Sequence, residues 1–466
     1  MAGNSALNTT TPPRIAIIGG GTAGLTCAYR LAQAGVNATI YEIATLIGGR
    51  MVSQQNFMGT QKIELGGEFI DEDQDAIQAL ARELGLTLLN LHDDSLQDNQ
   101  RWMVYQGQRV NLAAYHEDLN ALAALVRQTM RGILTASIRY DQPHRAAALD
   151  IPLSAWLDQH GVTGVARAVV ERAMVGEFGR ELDELSALCF LTQPIDISDY
   201  FAPRETGVRY VVAEGSGAIP ARLAAHLPTP VALGVALVAM RETSDGRLVL
   251  TFQRGATVTD KTFDFAVLTL PFTMLRRLDL SKVPLRAAKR RAIAELGYGT
   301  NAKLMLGFTD RSAWRMVGSI AKTSSDQPYQ QLWETSRAQT GNEGILTNYY
   351  GGKRGVEIAH EPEADHAASV VAQLSALYPT IEATYAGQHA RKVWAEHPHT
   401  LGSYSCYLPG QFTTLRGVEG EPEGRLLFAG EHTSIDFQGY MNGAVETGER
   451  AAQEVLARVG YGAKSA

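Results

Sequence analysis

Cysteine is scarce: the 466 residues hold three, Cys27, Cys189 and Cys406. That is too few and too scattered for a disulfide framework or a metal site with clustered ligands, and all three read as free thiols. Basic charge is short as well. Against 49 Asp and Glu stand 42 Lys and Arg, a net charge of −7. A mildly acidic surface does not draw a phosphate backbone over long range, so nucleic acid is not an expected partner. Long apolar runs are missing. The longest, such as 231–240, fall far below the roughly 20 residues that a bilayer demands, so no membrane partner is expected. The first 13 residues are polar and rich in Thr and Pro. They lack the apolar stretch of an export signal and are expected to be a disordered leader. The chain as it stands reads as soluble and cytoplasmic, or exported if a signal was removed, and a homodimer is compatible with it.

What is present is globular. Hydrophobic residues make up 45% and charged residues 20%, enough apolar material for sizeable cores, and the length suits two or three units of about 150 residues. Glycine, with 45 residues, stands above the usual ~7% and is clustered. The first cluster follows the β-branched run 14–18 and precedes a helical stretch, 25–34, closed by Gly35. A second strand, 38–42, completes a βαβ unit. Segments 77–84, 119–135 and 164–175 have helical spacing, so 77 to about 190 reads as a mostly helical insertion. Strands are expected at 231–240, 248–252, 263–270 and 302–308, a helix at 285–296, a strand at 425–429 and a last helix at 443–459. The stretch 312–400 gives no clear pattern.

Gly19-x-Gly21-x-x-Gly24 sits between the first strand and first helix. There the glycines supply a tight turn, close backbone approach to a pyrophosphate and close helix packing, and the helix N-terminus faces the anion. Glu42 ends the second strand, where its carboxylate can accept hydrogen bonds from an adenosine ribose and repel a 2′-phosphate. Gly297-x-Gly299-x-x-Ala302 has similar spacing but a helix before it and a strand after it, so it is rejected. One dinucleotide site and no second one for NADPH make a small diffusible electron acceptor the expectation. Gly48-Gly49-Arg50 offers amides and a cation to phosphate. In Gly66-Gly67-Glu68-Phe69, paired glycines let backbone press on a flat ring.

Four blocks together resemble the flavin-containing amine oxidase family, which includes monoamine, polyamine and L-amino-acid oxidases. They are IAIIGGGTAGLTCAYRLAQAG (15–35) with Glu42, GGRMVS (48–53) with ELGGEF (64–69), WAEHPHTLGSYSCYLPG (394–410), and LLFAGEHTSIDFQGYMNGAVETGERAA (426–452). The resemblance implies an α/β fold. Its Rossmann-like FAD-binding domain would comprise 14–76, 205–277 and 401–466, interleaved with an α+β substrate domain of 77–204 and 278–400.

It further implies that Gly19, Gly21, Thr22, Ala23, Gly24 and Glu42 hold the ADP half of FAD, with Gly48, Gly49 and Arg50 near the pyrophosphate. Gly66, Gly67, Glu68, Trp394 and Gly439 would line the flavin. Gly430 and Glu431 would meet its ribityl and pyrophosphate region, Met441 its O2 edge, and Val235, on a strand, the adenine. Lys303 matches the family's active-site lysine, which holds a water beside flavin N5. Phe69, Tyr404 and Tyr440 would face substrate. Aligning Gly402-Ser403-Tyr404 with the motif whose cysteine anchors flavin in monoamine oxidases puts Tyr404, not Cys406, at the anchoring place, which implies non-covalent FAD.

The implied reaction is oxidative deamination of an amine or L-amino acid, with O2 reduced to H2O2. Phe69 stands where venom-type L-amino-acid oxidases carry a carboxylate-binding arginine. Arg315 is then a candidate for that task, and Glu68, Asp71 and Glu72 for a second ammonium. A desaturase or porphyrinogen-type oxidase on the same fold, or a flavin-binding protein without turnover, are the alternatives.

Overall fold

The β-branched run Ile15–Ile18 is a strand buried along its whole length. Its residues pair in parallel with Ala38–Glu42 on one side and Phe265–Leu268 on the other. Ala232–Leu233 and Leu426–Phe428 extend this five-stranded parallel sheet at its two edges. Side chains of a strand alternate between faces, and here each face has its own core. Ile15 and Ile17 join the residues of the first and last helices, while Ala16 and Ile18 join a core built largely from residues 112–191. The computed structural model describes residues 12–93, 102–193 and 208–460, so the expected leader lies almost wholly outside the described residues.

The first helix, Thr22–Gln33, ends before Gly35, whose φ of +73° is one that L side chains resist. The last helix, Met441–Arg458, packs on it through Gly448, where a Cβ would lie 2.5 Å from the Ala23 carbonyl oxygen. A seven-stranded sheet forms the second layer. Its order is Tyr385–Val393, Ala302–Phe308, Gly344–Tyr350, Gln331–Glu334, Thr323–Ser325, Trp102–Tyr105, Gln108–Val110. Helices Leu153–Gln159, Gly164–Phe178 and Ala187–Leu191 fall in the expected helical insertion, with His116–Thr129 before them.

Three expectations need correction. The run 231–240 is not one strand. It breaks at Gly234, φ +68°, so that Ala232–Leu233 stays in the parallel sheet while Ala236–Glu242 starts an antiparallel one. Val235 therefore lies between strands. The helical insertion also contributes three strands, Leu88–Asn90, Trp102–Tyr105 and Gln108–Val110; the second pairs in parallel with Thr323–Ser325, more than 200 residues away. The helix expected to reach 135 stops at Thr129, with Gly132 at φ +74° just beyond. No described helix is long and apolar enough to cross a membrane.

Candidate active site

A continuous cavity of about 1860 Å³ runs from the glycine turn after the first strand to the seven-stranded sheet. Ordinary ligand pockets hold about 300–1,000 Å³, so this one has room for a dinucleotide and a substrate together. Every residue given above a place at the cofactor or facing the substrate lines it except Gly24. Gly24 lies beneath the turn, where a Cβ would be 2.1 Å from the Gly19 oxygen. At this end Glu42 accepts the Gly20 N–H at 2.6 Å and the Ala44 N–H at 2.7 Å, which orients its carboxylate at the wall. The Val235 N–H donates to the Glu42 carbonyl at 2.8 Å and is thus already engaged.

Two helices open onto the cavity without a side-chain cap and without an acid in the first turn: Thr22–Gln33 behind Gly21, and Met441–Arg458 behind Tyr440. The first N–H groups of a helix have no partner inside it and carry the positive end of its dipole. Between them, Arg50 ties the second glycine pair to the C-terminal block. Its Nη1 donates to the Ser403 carbonyl at 2.6 Å and to Glu431 Oε1 at 2.9 Å. Glu431 also accepts Ser405 Oγ–H at 2.7 Å and the Gly439 N–H at 2.9 Å. Burial alone would raise this carboxyl, but the Arg50 charge and the donors outweigh it and hold Glu431 below the usual glutamate range. His432 next door is buried with both ring nitrogens unbonded among the described residues, and burial pushes its pKa down to about 3.

The far end is aromatic and acidic. Lys303, on the strand Ala302–Phe308, donates to the Glu64 carbonyl at 3.1 Å, the Gly66 carbonyl at 2.8 Å and Glu68 Oε2 at 2.8 Å. Both members of the Lys303–Glu68 ion pair are buried, and Glu68 takes a further bond from Trp333 Nε1 at 3.1 Å. Phe69 and Tyr349 meet the Trp333 ring at 5.6 and 5.3 Å between centroids. Trp394 Nε1 donates to the Leu65 carbonyl at 2.9 Å. Tyr349 and Tyr404 share a hydrogen bond of 2.8 Å, and Tyr440 donates to Glu177. Burial raises Tyr404 and Tyr349 above the ordinary phenol range, and the Glu177 charge, then burial, raises Tyr440. These phenols stay protonated.

Sequence reasoning missed Trp333, Tyr349 and Glu177. The first two lie in the unparsed 312–400 stretch, and Glu177 has no neighbour in sequence to mark it. Arg315 proves misassigned: it does not line the cavity and is held by Glu334 at 2.9 and 3.1 Å. Arg337 and Lys322 line the cavity instead. Of the acidic candidates, Asp71 lines it and Glu72 does not. Gly297 and Gly299 serve packing, since Cβ atoms there would lie 2.7 Å from the Cys406 carbonyl and 2.4 Å from the Phe178 carbonyl.

Residues 22–456 match the model of the family described as flavin containing amine oxidoreductase. The chain belongs to this family. It is thereby a flavin-containing amine oxidoreductase. Among curated relatives, a flavin-containing amine oxidase of Danio rerio is 24% identical over 461 residues, covering 96% of this chain and 86% of the relative. Amine oxidase B of Cavia porcellus is 24% identical over 468 residues, with the same coverages. The fold is shared with cyclohexylamine oxidase from Brevibacterium oxydans IH-35A, at TM-score 0.81 and 19% identity over 97% of this chain and all of that one. Wild-type putrescine oxidase bound to putrescine gives TM-score 0.80 and 18% identity over 96% of this chain and 99% of that one.

Proposed function

We propose that the chain is an oxidase with non-covalent FAD that deaminates an amine, releasing aldehyde, ammonia and H2O2. The observation that carries this is the continuity of the cavity: two uncapped helix starts at one end and the Lys303 and tyrosine cluster at the other share one space. The residues fit FAD. Amides at the start of Thr22–Gln33 suit its phosphates, and Glu42 suits a ribose. The start of Met441–Arg458 suits the electron-rich carbonyl edge of the ring. Gly21 and Gly49 face each other with room to spare, a Cβ on Gly21 meeting only the Gly49 Cα at 3.9 Å, which suits close approach of a phosphate. Since the adjacent N–H of Val235 is engaged, adenine would use other edges of that loop. The division of labour that we propose puts 14–76, 205–277 and 401–466 on the cofactor and 77–204 and 278–400 on the substrate. It is supported by the five-stranded and the seven-stranded sheet, which draw their strands from those separate sets, while three smaller sheets join strands of both.

The chemistry that bound FAD supplies is two-electron acceptance from the substrate carbon and return of those electrons to O2. The chain does the rest. Phe69, Trp333, Tyr349, Tyr404 and Tyr440 make a wall that displaces water and favours the neutral amine, the only form that can give up electrons from its carbon. Lys303 we propose as the catalytic lysine. All three of its hydrogens are engaged, so a water beside it replaces one of these acceptors when it serves the late steps. No cysteine lines the cavity, and burial lifts the Cys406 thiol to about 12, which supports dissociable FAD.

An amine is favoured over an L-amino acid by Phe69 and by the tethering of Arg315 to Glu334. An L-amino acid is the second reading because Arg337 and Lys322 reach the cavity. Anaerobic mixing with monoamines, diamines and L-amino acids tests both. The proposal expects bleaching of the flavin by amines and peroxide release in air; a protein whose flavin no amine bleaches overturns it.

A further inference from the structure

Glu177 stands near the end of the helix Gly164–Phe178, deep in the protein, and what exposure it has is to the cavity. Each other glutamate at the wall discussed so far has at least two donors: two amides at Glu42, Lys303 and Trp333 at Glu68, Arg50 and three further donors at Glu431. Glu177 is different. Among the described residues its one hydrogen bond comes from the Tyr440 hydroxyl, and no cation pairs with it. It also sits at a helix C-terminus, whose partial negative charge attracts cations.

Resting on the amine-oxidation reading, we propose that Glu177, acting through the Tyr440 hydroxyl, takes the proton from the substrate's ammonium inside the cavity. An N–H bond of the ammonium breaks as an O–H bond forms at Tyr440. The original Tyr440 O–H breaks as one forms on the Glu177 carboxylate. No electrons are gained or lost, and a charged pair becomes a neutral amine and a neutral acid. Burial drives this direction, because a low-dielectric site disfavours both the ammonium and the carboxylate. The Glu177 carboxyl itself is raised by burial, against the bond from Tyr440. The Tyr440 oxygen, while donating to Glu177, keeps acceptor capacity for the substrate.

The groups around Glu177 do not compete for the proton. Tyr404 and Tyr349 are phenols raised by burial, and the Glu68–Lys303 pair lies beyond Tyr349. Asp71 and Asp73 act on Tyr440 by their charge, after Glu177. The strand Trp102–Tyr105 and the helix His116–Thr129, also packed on this helix, bring buried Met103, Leu122 and Val126. The helix His116–Thr129 carries Glu117, Asp118 and Arg127, Glu177's own helix carries Arg172 paired with Glu171, and Lys322 precedes the strand Thr323–Ser325, which also packs on it.

The test uses tert-butylamine, which has no α C–H and binds without reacting, and n-butylamine, which can react. Affinity is read from the visible spectrum of the bound flavin, and the limiting rate of flavin reduction from anaerobic stopped flow. On the alkaline side of the Glu177 titration and below that of the amine, the wild type keeps the proton on binding. Its affinity for tert-butylamine is then flat with pH, and so is its limiting rate with n-butylamine. Glu177→Gln must expel the proton to water, so its affinity rises tenfold per pH unit, and Glu177→Asp restores the flat profile. A flat affinity in Glu177→Gln overturns the proposal. The wild type alone also decides it if the variant does not fold. An affinity rising tenfold per unit means the proton is not kept, and a limiting rate rising tenfold per unit means the ammonium is held without being deprotonated; either overturns the proposal. These failures leave amine oxidation standing, whereas wild-type flavin that no amine perturbs or bleaches removes that reading itself.

Discussion

Replacing Arg50 by Met isolates the knot that joins the two ends of the chain. Arg50 is about a quarter exposed and Glu431 is buried, with their 2.9 Å contact the one ion pair that Glu431 makes among the described residues. Removing one partner of a buried pair costs about 3–5 kcal/mol because the other charge stays buried. The partial exposure of Arg50 argues for the low end, about 3 kcal/mol at pH 7. The pH dependence carries the sharper prediction. In the wild type the Glu431 carboxyl is depressed, so its contribution is present above the unfolded glutamate value and is lost as pH falls through the folded one. Burial is the largest influence on Glu431, and Arg50 is the first of those opposing it. Without Arg50 the shift reverses to a raised carboxyl, which loses stability as pH rises. The stability gap between wild type and Arg50→Met is therefore wide at pH 7.5 and narrower at pH 5. Urea unfolding at both pH values, at one fixed FAD concentration, measures it. Adding Glu431→Gln to Arg50→Met should recover part of the loss at pH 7.5. A gap that is constant with pH, or that widens in acid, refutes the reasoning.

Lys303→Met leaves Glu68 with Trp333 as its remaining donor, and should cost about 3 kcal/mol in urea unfolding, with part of it regained in Lys303→Met/Glu68→Gln; in single-turnover assays it should slow flavin reoxidation or imine hydrolysis, and unchanged rates for both remove the proposed role of Lys303. Gly66→Ala sets a Cβ 1.9 Å from the Arg50 carbonyl oxygen and 3.0 Å from the Trp394 ring, so the purified protein should carry less flavin per chain, measured by absorbance ratio. His432 stays neutral in the fold down to about pH 3 while an unfolded histidine protonates near 6.5, so stability falls as pH drops through that window. His432→Leu should reduce proton uptake on unfolding at pH 5 by about one, or about 1.4 kcal/mol per pH unit; an unchanged slope contradicts it.

How far the sequence could be read depended on whether a residue's task is local. Gly19, Gly21 and Gly24 act within one turn, so their spacing together with the flanking strand and helix patterns located the turn, and those elements appear within a few residues of expectation. Glu42 followed from ending the second strand. The strand Trp102–Tyr105 escaped because its partner, Thr323–Ser325, is remote and its neighbours are helical. The break at Gly234 escaped because an apolar run looks continuous until one glycine takes a left-handed conformation. Trp333, Tyr349 and Glu177 meet Lys303 and Tyr440 only through sheet pairing and helix packing, which no local pattern encodes. Arg315 misled for the opposite reason: its charge was visible in the sequence, and its engagement with Glu334 was not.

The most direct test is the visible spectrum of the folded protein, purified with FAD present and then passed through a desalting column. The account predicts a yellow protein with about one flavin per chain that bleaches under an amine without oxygen and releases all its colour into the supernatant on denaturation. A folded protein that stays colourless in excess FAD contradicts it.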